Sequence, residues 1–341
     1  MDSDKEKENL DVKNTIPENP FSSGEIRTDY RTGLKVVSEL SRKNRPSDYL
    51  IKDVIDDKGK ENCPFEPEKY DLNKTLFEIG NPWRVRVIYN KYPIFQYNAP
   101  YAHEKWDIFE RSTNYGFSFV IIDSREHNLK FEQFDEANIR DLAKAILETE
   151  KRIYEHQRID FVYLNKNFGR KSGGTLSHSH WQTLGYTDMP EMVKARLSKV
   201  REFKDRYGSC LMEYAAKKEE ERKLLENDTL IAFAPFAQLY TGESVVIPKR
   251  HVNMLSELSE NEMIKLLKAC QKIIIANNGY FKVHSYNILG YSLKEEKEFH
   301  SYVEIVPRVS DIGPMQMADY YGNNVMPEEY SKEIRAILSN F

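Results

Sequence analysis

Phe119-Val120-Ile121-Ile122-Asp123-Ser124-Arg125-Glu126-His127 is an apolar run that closes on a basic residue, one further residue and a histidine. The alternating and branched apolar residues read as a buried strand, and the charged end reads as the turn that follows it. Ser244-Val245-Val246-Ile247-Pro248-Lys249-Arg250-His251 has the same plan. A helical stripe follows each copy. Ile139, Leu142, Ile146 and Ile153 recur at spacings of 3, 4 and 7, and Met263, Leu266, Leu267, Cys270, Ile273 and Ile274 make a similar face. Ser259 and Glu262 form a capping-box pair at the start of the second stripe. Each copy then ends in a related segment, Leu176-Ser177-His178-Ser179-His180-Trp181-Gln182 in the first and Glu298-Phe299-His300-Ser301-Tyr302-Val303-Glu304 in the second. His178 lies 51 positions after His127, and His300 lies 49 after His251. Strand, basic–histidine turn, helix and final strand recur in order, so the chain reads as an internal duplication.

The fold class expected is therefore α+β, two tandem units that each pack helices on an antiparallel sheet. The first unit is placed at residues 25–189 and the second at 228–312. Residues 190–227 are charged and helix-prone and read as a helical crossover; 313–341 reads as a C-terminal extension, and the polar stretch 1–24 as a disordered tail. The 341 residues carry 50 basic and 54 acidic side chains, a net charge of −4, which argues against general nucleic-acid binding. No apolar run approaches the length of a membrane span, and no secretory signal core opens the chain. Three widely spaced cysteines, Cys63, Cys210 and Cys270, do not suggest a disulfide framework, and a cytoplasmic location is expected.

A strand over 177–183 would place His178, His180 and Gln182 in one row, about 6–7 Å apart. The preceding Asn165-Lys166-Asn167-Phe168-Gly169-Arg170-Lys171-Ser172-Gly173-Gly174-Thr175 is rich in glycine, amide, hydroxyl and positive charge. Glycines let backbone N–H groups approach an anion closely. A neutral imidazole is a competent nucleophile near pH 7, provided its other nitrogen holds the proton against an acceptor. Gln182 can donate to an oxygen on which charge develops. Simpler structural readings stand beside these. His178 and His180 could be core histidines, Cys63 a buried thiol, and His127 a cap at a strand–helix turn. Asn90, Asn167 and Thr175 could serve turn backbone alone.

The string Gly173-Gly174-Thr175-Leu176-Ser177-His178-Ser179-His180-Trp181-Gln182 resembles the H-x-H-x-Q signature of the galactose-1-phosphate uridylyltransferase branch of the histidine-triad (HIT) superfamily. The resemblance extends along nearly the whole chain. It takes in Ile26-Arg27-Thr28-Asp29 with Thr32-Gly33, then Arg45-Pro46, Cys63-Pro64-Phe65 and Trp83 through Pro93. It continues in Asn167 and Gly169, Phe299-His300, and Glu304 through Arg308. It implies tandem HIT-like units with one nucleophile per chain, because Tyr302 stands in the second unit where His180 stands in the first. It implies that His180 attacks phosphorus, that Gln182 holds the transferred phosphate, and that Asn90, Asn167, Gly174 and Thr175 contact the substrate. It further implies one structural zinc on Cys63, Glu66, His127 and His178, with glutamate at a position usually held by cysteine. A second metal site is not expected, since Tyr302 replaces a histidine, and His251 is expected to be structural. Ser179 and Trp181 stand where proline and a small residue are usual, and Trp181 should face away from His180.

The implied activity is transfer of a nucleoside monophosphate, expected to be UMP, from a nucleoside diphosphate hexose to a hexose 1-phosphate through a nucleotidyl-histidine. The alternatives are a phosphorylase of nucleoside diphosphate sugars or dinucleoside polyphosphates, a hydrolase, and a non-catalytic nucleotide- or metal-binding protein. The partners expected are nucleotide-sugar and sugar-phosphate substrates, with neither nucleic acid nor membrane; the resemblance suggests a homodimer.

Overall fold

The computed structural model describes residues 24–38, 59–72 and 74–341. The expected polar tail, Gly24 apart, and Arg45-Pro46 lie outside the described residues. The chain opens with strands β1 (Glu25–Thr28) and β2 (Lys35–Ser38). The first half follows as β3 (Thr75–Ile79), β4 (Val85–Tyr89), β5 (His103–Trp106), β6 (Phe109–Ser112), β7 (Gly116–Ile122), α1 (Glu136–Tyr154), β8 (Phe161–Phe168) and β9 (His180–Tyr186). Helices α2 (Glu191–Tyr207) and α3 (Leu211–Lys218) lead to the second half. That half comprises β10 (Lys223–Glu226), β11 (Leu230–Phe233), β12 (Ser244–Pro248), α4 (Glu260–Phe281), β13 (Tyr286–Leu293) and β14 (Val303–Pro307). Helix α5 (Pro314–Met317), strand β15 (Tyr320–Asn323) and helix α6 (Pro327–Leu338) end the chain.

The two halves share one ten-stranded sheet, ordered β10-β11-β12-β14-β13-β8-β9-β7-β4-β3. Read outward from its centre, β8-β9-β7-β4-β3 matches β13-β14-β12-β11-β10, so the duplication is visible as a two-fold repeat about the β8–β13 seam. That seam is antiparallel and runs through eight residue pairs, from Phe161 opposite Leu293 to Phe168 opposite Tyr286. Strand β10 falls inside the stretch expected to be a helical crossover. Its place is set by pairing with β11. The C-terminal stretch is likewise built in: β15 runs parallel to β2, and α6 packs on α4 and β10.

The long helices form where their stripes predict. Asp135 caps α1 by accepting from Asn138 N at 2.8 Å, and Ser259 and Glu262 make the expected capping box on α4. Ile139, Leu142, Ile146 and Ile153 of α1 join Met263, Leu266, Cys270 and Ile273 of α4 in the main core on one sheet face. Each such aliphatic side chain contributes roughly 1.5–3 kcal/mol by leaving water. The opposite face differs between the halves. Val193, Leu197 and Val200 of α2, with Leu211 and Met212 of α3, cover the second half. In the first half a smaller cluster of Cys63, Phe65, Trp83, Ile88, Val120 and Ile122 lies there, joined by Leu176. None of the helices among the described residues is long and apolar enough to cross a membrane.

Candidate active site and metal clusters

Strand β9 begins at His180, so the expected row of three is two: His180 and Gln182 share a face, while His178 belongs to the bend before the strand. The bend frees the His178 ring to turn sideways. Its Nε2–H donates to Ser124 O at 2.8 Å, and its Nδ1 faces Cys63 Sγ at 3.5 Å and Glu66 Oε1 at 3.3 Å. His180 is 8% exposed and its Nδ1–H donates to His178 O at 2.8 Å. That bond holds the proton on Nδ1 and leaves the lone pair on Nε2. Burial pushes the His180 pKa down to about 4, and the positive Lys166 adds to that effect, so the ring is neutral at pH 7. Phe65 packs edge-on against it, with ring centroids 5.2 Å apart.

The glycine-rich loop follows β8. Gly169 has φ +81°, and a Cβ there would collide with Ser285, so only glycine fits. Ser172 Oγ donates to Gly169 O at 2.6 Å and accepts from Gly174 N at 3.3 Å. A Cβ on Gly174 would press on Asn167 O and Gly169 O at 3.0 Å. Asn167 and Asn165 lie on the His180 face of β8, Asn165 opposite Gln182. Thr175 is exposed in the approach to the bend. Asn90 is not gathered with this group. Its Oδ1 accepts from Tyr92 N at 2.9 Å, and it lies beyond β4 opposite Ser118, four residues along β7 from the partner of His180. Asn287, from the second half, was not anticipated. Its amide donates to Asn167 Oδ1 at 2.7 Å and Ser172 O at 3.0 Å, so β13 steadies the loop of the first half. Its position directly across the seam from Asn167 comes from strand pairing, which no local motif announces.

Cys63, Glu66, His127 and His178 converge, fully buried, with their donor atoms within 4.8 Å of one another. His127 Nδ1 contacts Glu66, and its Nε2 lies 3.0 Å from Ser177 Oγ. Both histidines thus turn Nδ1 inward and place Nε2 against an oxygen, the arrangement that orients a metal-ligating imidazole. Two anionic donors and two imidazoles suit a tetrahedral divalent ion such as zinc. A second group of candidate donors, which was not expected, lies in the other half. Cys210, Glu213, His251 and His300 converge within the same 4.8 Å. His251 Nδ1 lies 3.1 Å from Glu213 Oε1, and His300 Nδ1 lies 3.6 Å from Cys210 Sγ. Tyr302 does not bear on it, because the ligand set repeats that of the first half. The signal was present in the sequence: Cys210-x-x-Glu213 has the gap of Cys63-x-x-Glu66.

The second half has no open counterpart to His180. Tyr302 and Glu304 take the places of His180 and Gln182, and buried arginines seal them. Arg196 of α2 donates to the Tyr302 hydroxyl and to Glu304 at 2.8 Å, while Arg31 donates to Glu304 at 2.7 Å and to Asp29 at 2.9 Å. Trp181 points away from His180, as expected, into the main core against Phe131, with Nε1–H donating to Asp123 at 2.9 Å.

Residues 100–189 match the N-terminal domain of a family described as DUF4931, a domain of unknown function. The chain is 27% identical to ADP-glucose phosphorylase of Arabidopsis thaliana over 329 residues, covering 92% of this chain and 93% of that protein. It is 24% identical to galactose-1-phosphate uridylyltransferase of Thermotoga maritima, covering 79% and 85% of the two chains. The crystal structure of an ADP-glucose phosphorylase from Arabidopsis thaliana with bound ADP-glucose superposes with a TM-score of 0.80 at 24% identity, over 92% of this chain and 99% of that one.

Proposed function

We propose that this chain, similar along most of its length to ADP-glucose phosphorylase and galactose-1-phosphate uridylyltransferase, transfers a nucleoside monophosphate from a nucleoside diphosphate hexose by way of His180. The observation that carries the proposal is the buried, neutral His180, its Nδ1 proton held on the His178 carbonyl, with Gln182 two residues along the same strand face. Nε2 attacks the phosphorus that bears the nucleoside. A P–N bond forms, the P–O bond to the departing hexose phosphate breaks, and the bonding pair leaves with that phosphate. An acceptor phosphate oxygen then displaces His180 in the reverse sense. The amide of Gln182 donates to a non-bridging oxygen as charge grows on it. Asn167, Gly174 and Thr175 hold phosphate, and Asn90, farther out, meets the nucleoside end. Splitting one displacement into two lets the same group serve both.

Cys63, Glu66, His127 and His178 would hold zinc, and so would Cys210, Glu213, His251 and His300; the ion supplies rigidity there, tying distant loops together. The finer assignment is uridylyl transfer to a hexose 1-phosphate. Phosphorolysis of an adenosine diphosphate sugar is the second reading, favoured by the match to ADP-glucose phosphorylase along 92% of the chain.

Intact-protein mass spectrometry after brief exposure to UDP-glucose or ADP-glucose tests the proposal and separates the readings. A gain of one nucleoside monophosphate, lost in His180→Ala, is expected, and its mass names the base. Release of the group on adding inorganic phosphate, compared with hexose 1-phosphate, names the acceptor. Lack of an adduct with either donor, together with lack of turnover, would overturn it.

A further inference from the structure

The segment 178–181 is held residue by residue from both faces of the sheet. Ser124 O takes the His178 ring proton, and His178 O takes that of His180. Around these lies a buried ionic knot. Lys166 on β8 is 1% exposed and Asp123, at the end of β7, is fully buried. Lys166 Nζ donates to Asp123 Oδ2 at 2.9 Å, to Ser179 Oγ at 2.7 Å and to His180 O at 3.2 Å. Three acceptors match the three protons of an ammonium group. Asp123 Oδ2 also accepts from Ser179 Oγ at 3.1 Å and Trp181 Nε1 at 2.9 Å. The knot therefore holds the residue before the nucleophile, its own carbonyl, and the residue after it.

A lysine is rarely buried this deeply, and a buried ion pair is weak grounds for stability, because desolvation offsets much of the attraction. Such a pair earns its place through geometry. Ser179 and Trp181, the two residues unusual in the signature, are the ones it engages. Resting on the reading of His180 as nucleophile, we propose that Lys166 and Asp123 are positioning residues that fix the height and tilt of His180 for attack on phosphorus, with Ser179 and Trp181 as their handles. Neither Lys166 nor Asp123 touches substrate, since both lie on the helix-covered face of the sheet, where Lys166 packs over the Trp181 ring.

The test measures two quantities separately. The rate of adduct formation is followed by rapid quench and intact mass, with the donor the wild-type protein accepts. Donor affinity is measured in a His180→Ala background, where chemistry cannot occur. Ser179→Ala removes one handle and leaves packing nearly unchanged; Trp181→Phe removes the other together with part of a buried ring; Lys166→Met and Asp123→Asn remove the centre. Expected are adduct rates lowered about tenfold by each handle and about a hundredfold by Lys166→Met, since a displacement of about 1 Å has such an effect. Donor affinity should stay within about threefold, as for a group that orients without binding. If Lys166→Met does not fold, the two handle variants carry the test. Wild-type adduct rates in Ser179→Ala and Trp181→Phe would overturn the inference, and so would affinity falling in step with rate. Failure of the wild-type protein itself to form an adduct would instead fall on His180 as nucleophile.

Discussion

Glu150 is buried on α1 against Ser292 and the turn at Leu255–Ser256, and burial raises its pKa to about 7. An unfolded glutamate titrates near 4.3. Between these values the folded state holds a proton that the unfolded state has released, so stability falls as pH rises from about 4.3 through about 7 and levels off above. Glu150→Gln should remove that slope. Melting temperatures at pH 5 and pH 8 should converge in the variant, with the gain over wild type seen at pH 8. A pH-independent difference between the two proteins would rule this account out. At the active strand, Gln182→Ala is expected to slow nucleotidyl transfer by about 10²–10³ while leaving the adduct detectable, as loss of one oxyanion donor does. That His180 and Gln182 share a strand face was legible because both sit in one short string. Lys166 and Asp123 were not, since a charged residue in an apolar strand shows its partner only once the strands are paired.

Among elements, the seam between β8 and β13 matters most to the site. At its active end Asn287 faces Asn167 and holds the glycine loop; at its other end Tyr291 faces Tyr163, with ring centroids 5.5 Å apart. Asn287→Ala leaves Asn167 and Ser172 O short of a donor, which is worth about 1 kcal/mol in stability. It should also slow transfer several-fold without changing the base preferred. A variant with wild-type kinetics would reduce Asn287 to a packing role. The repeat itself was readable, because basic–histidine turns and helical stripes are local patterns. Strand β10 was hidden: Lys223-Leu224-Leu225-Glu226 resembles the helical residues before it, and pairing with β11 decides its state. The bend at His178 was hidden in the same way, because ring contacts with Cys63, Glu66 and Ser124 outweigh strand alternation.

For the whole molecule, two candidate clusters with matching donors, each proposed to hold a metal ion, set a stoichiometry that can be measured. Elemental analysis should find about two equivalents of zinc, falling to about one in either Cys63→Ser or Cys210→Ser. A single equivalent in the wild type, unaffected by Cys210→Ser, would leave the second cluster a polar knot. Because the main core draws on α1 and α4 together and the sheet runs unbroken across both halves, the duplicated units should unfold as one. Calorimetry is expected to show a single transition with equal calorimetric and van't Hoff enthalpies; two resolved peaks would separate the halves.

The arginine seal over Tyr302 and Glu304 also sets the arithmetic of turnover. With His180 alone carrying the group, as proposed, a pre-steady-state burst should release one hexose phosphate per chain and no more. On the proposed double displacement, the donor binds the unloaded form and the acceptor the loaded form, in succession. Double-reciprocal plots would run parallel, and excess acceptor would inhibit by holding the unloaded enzyme.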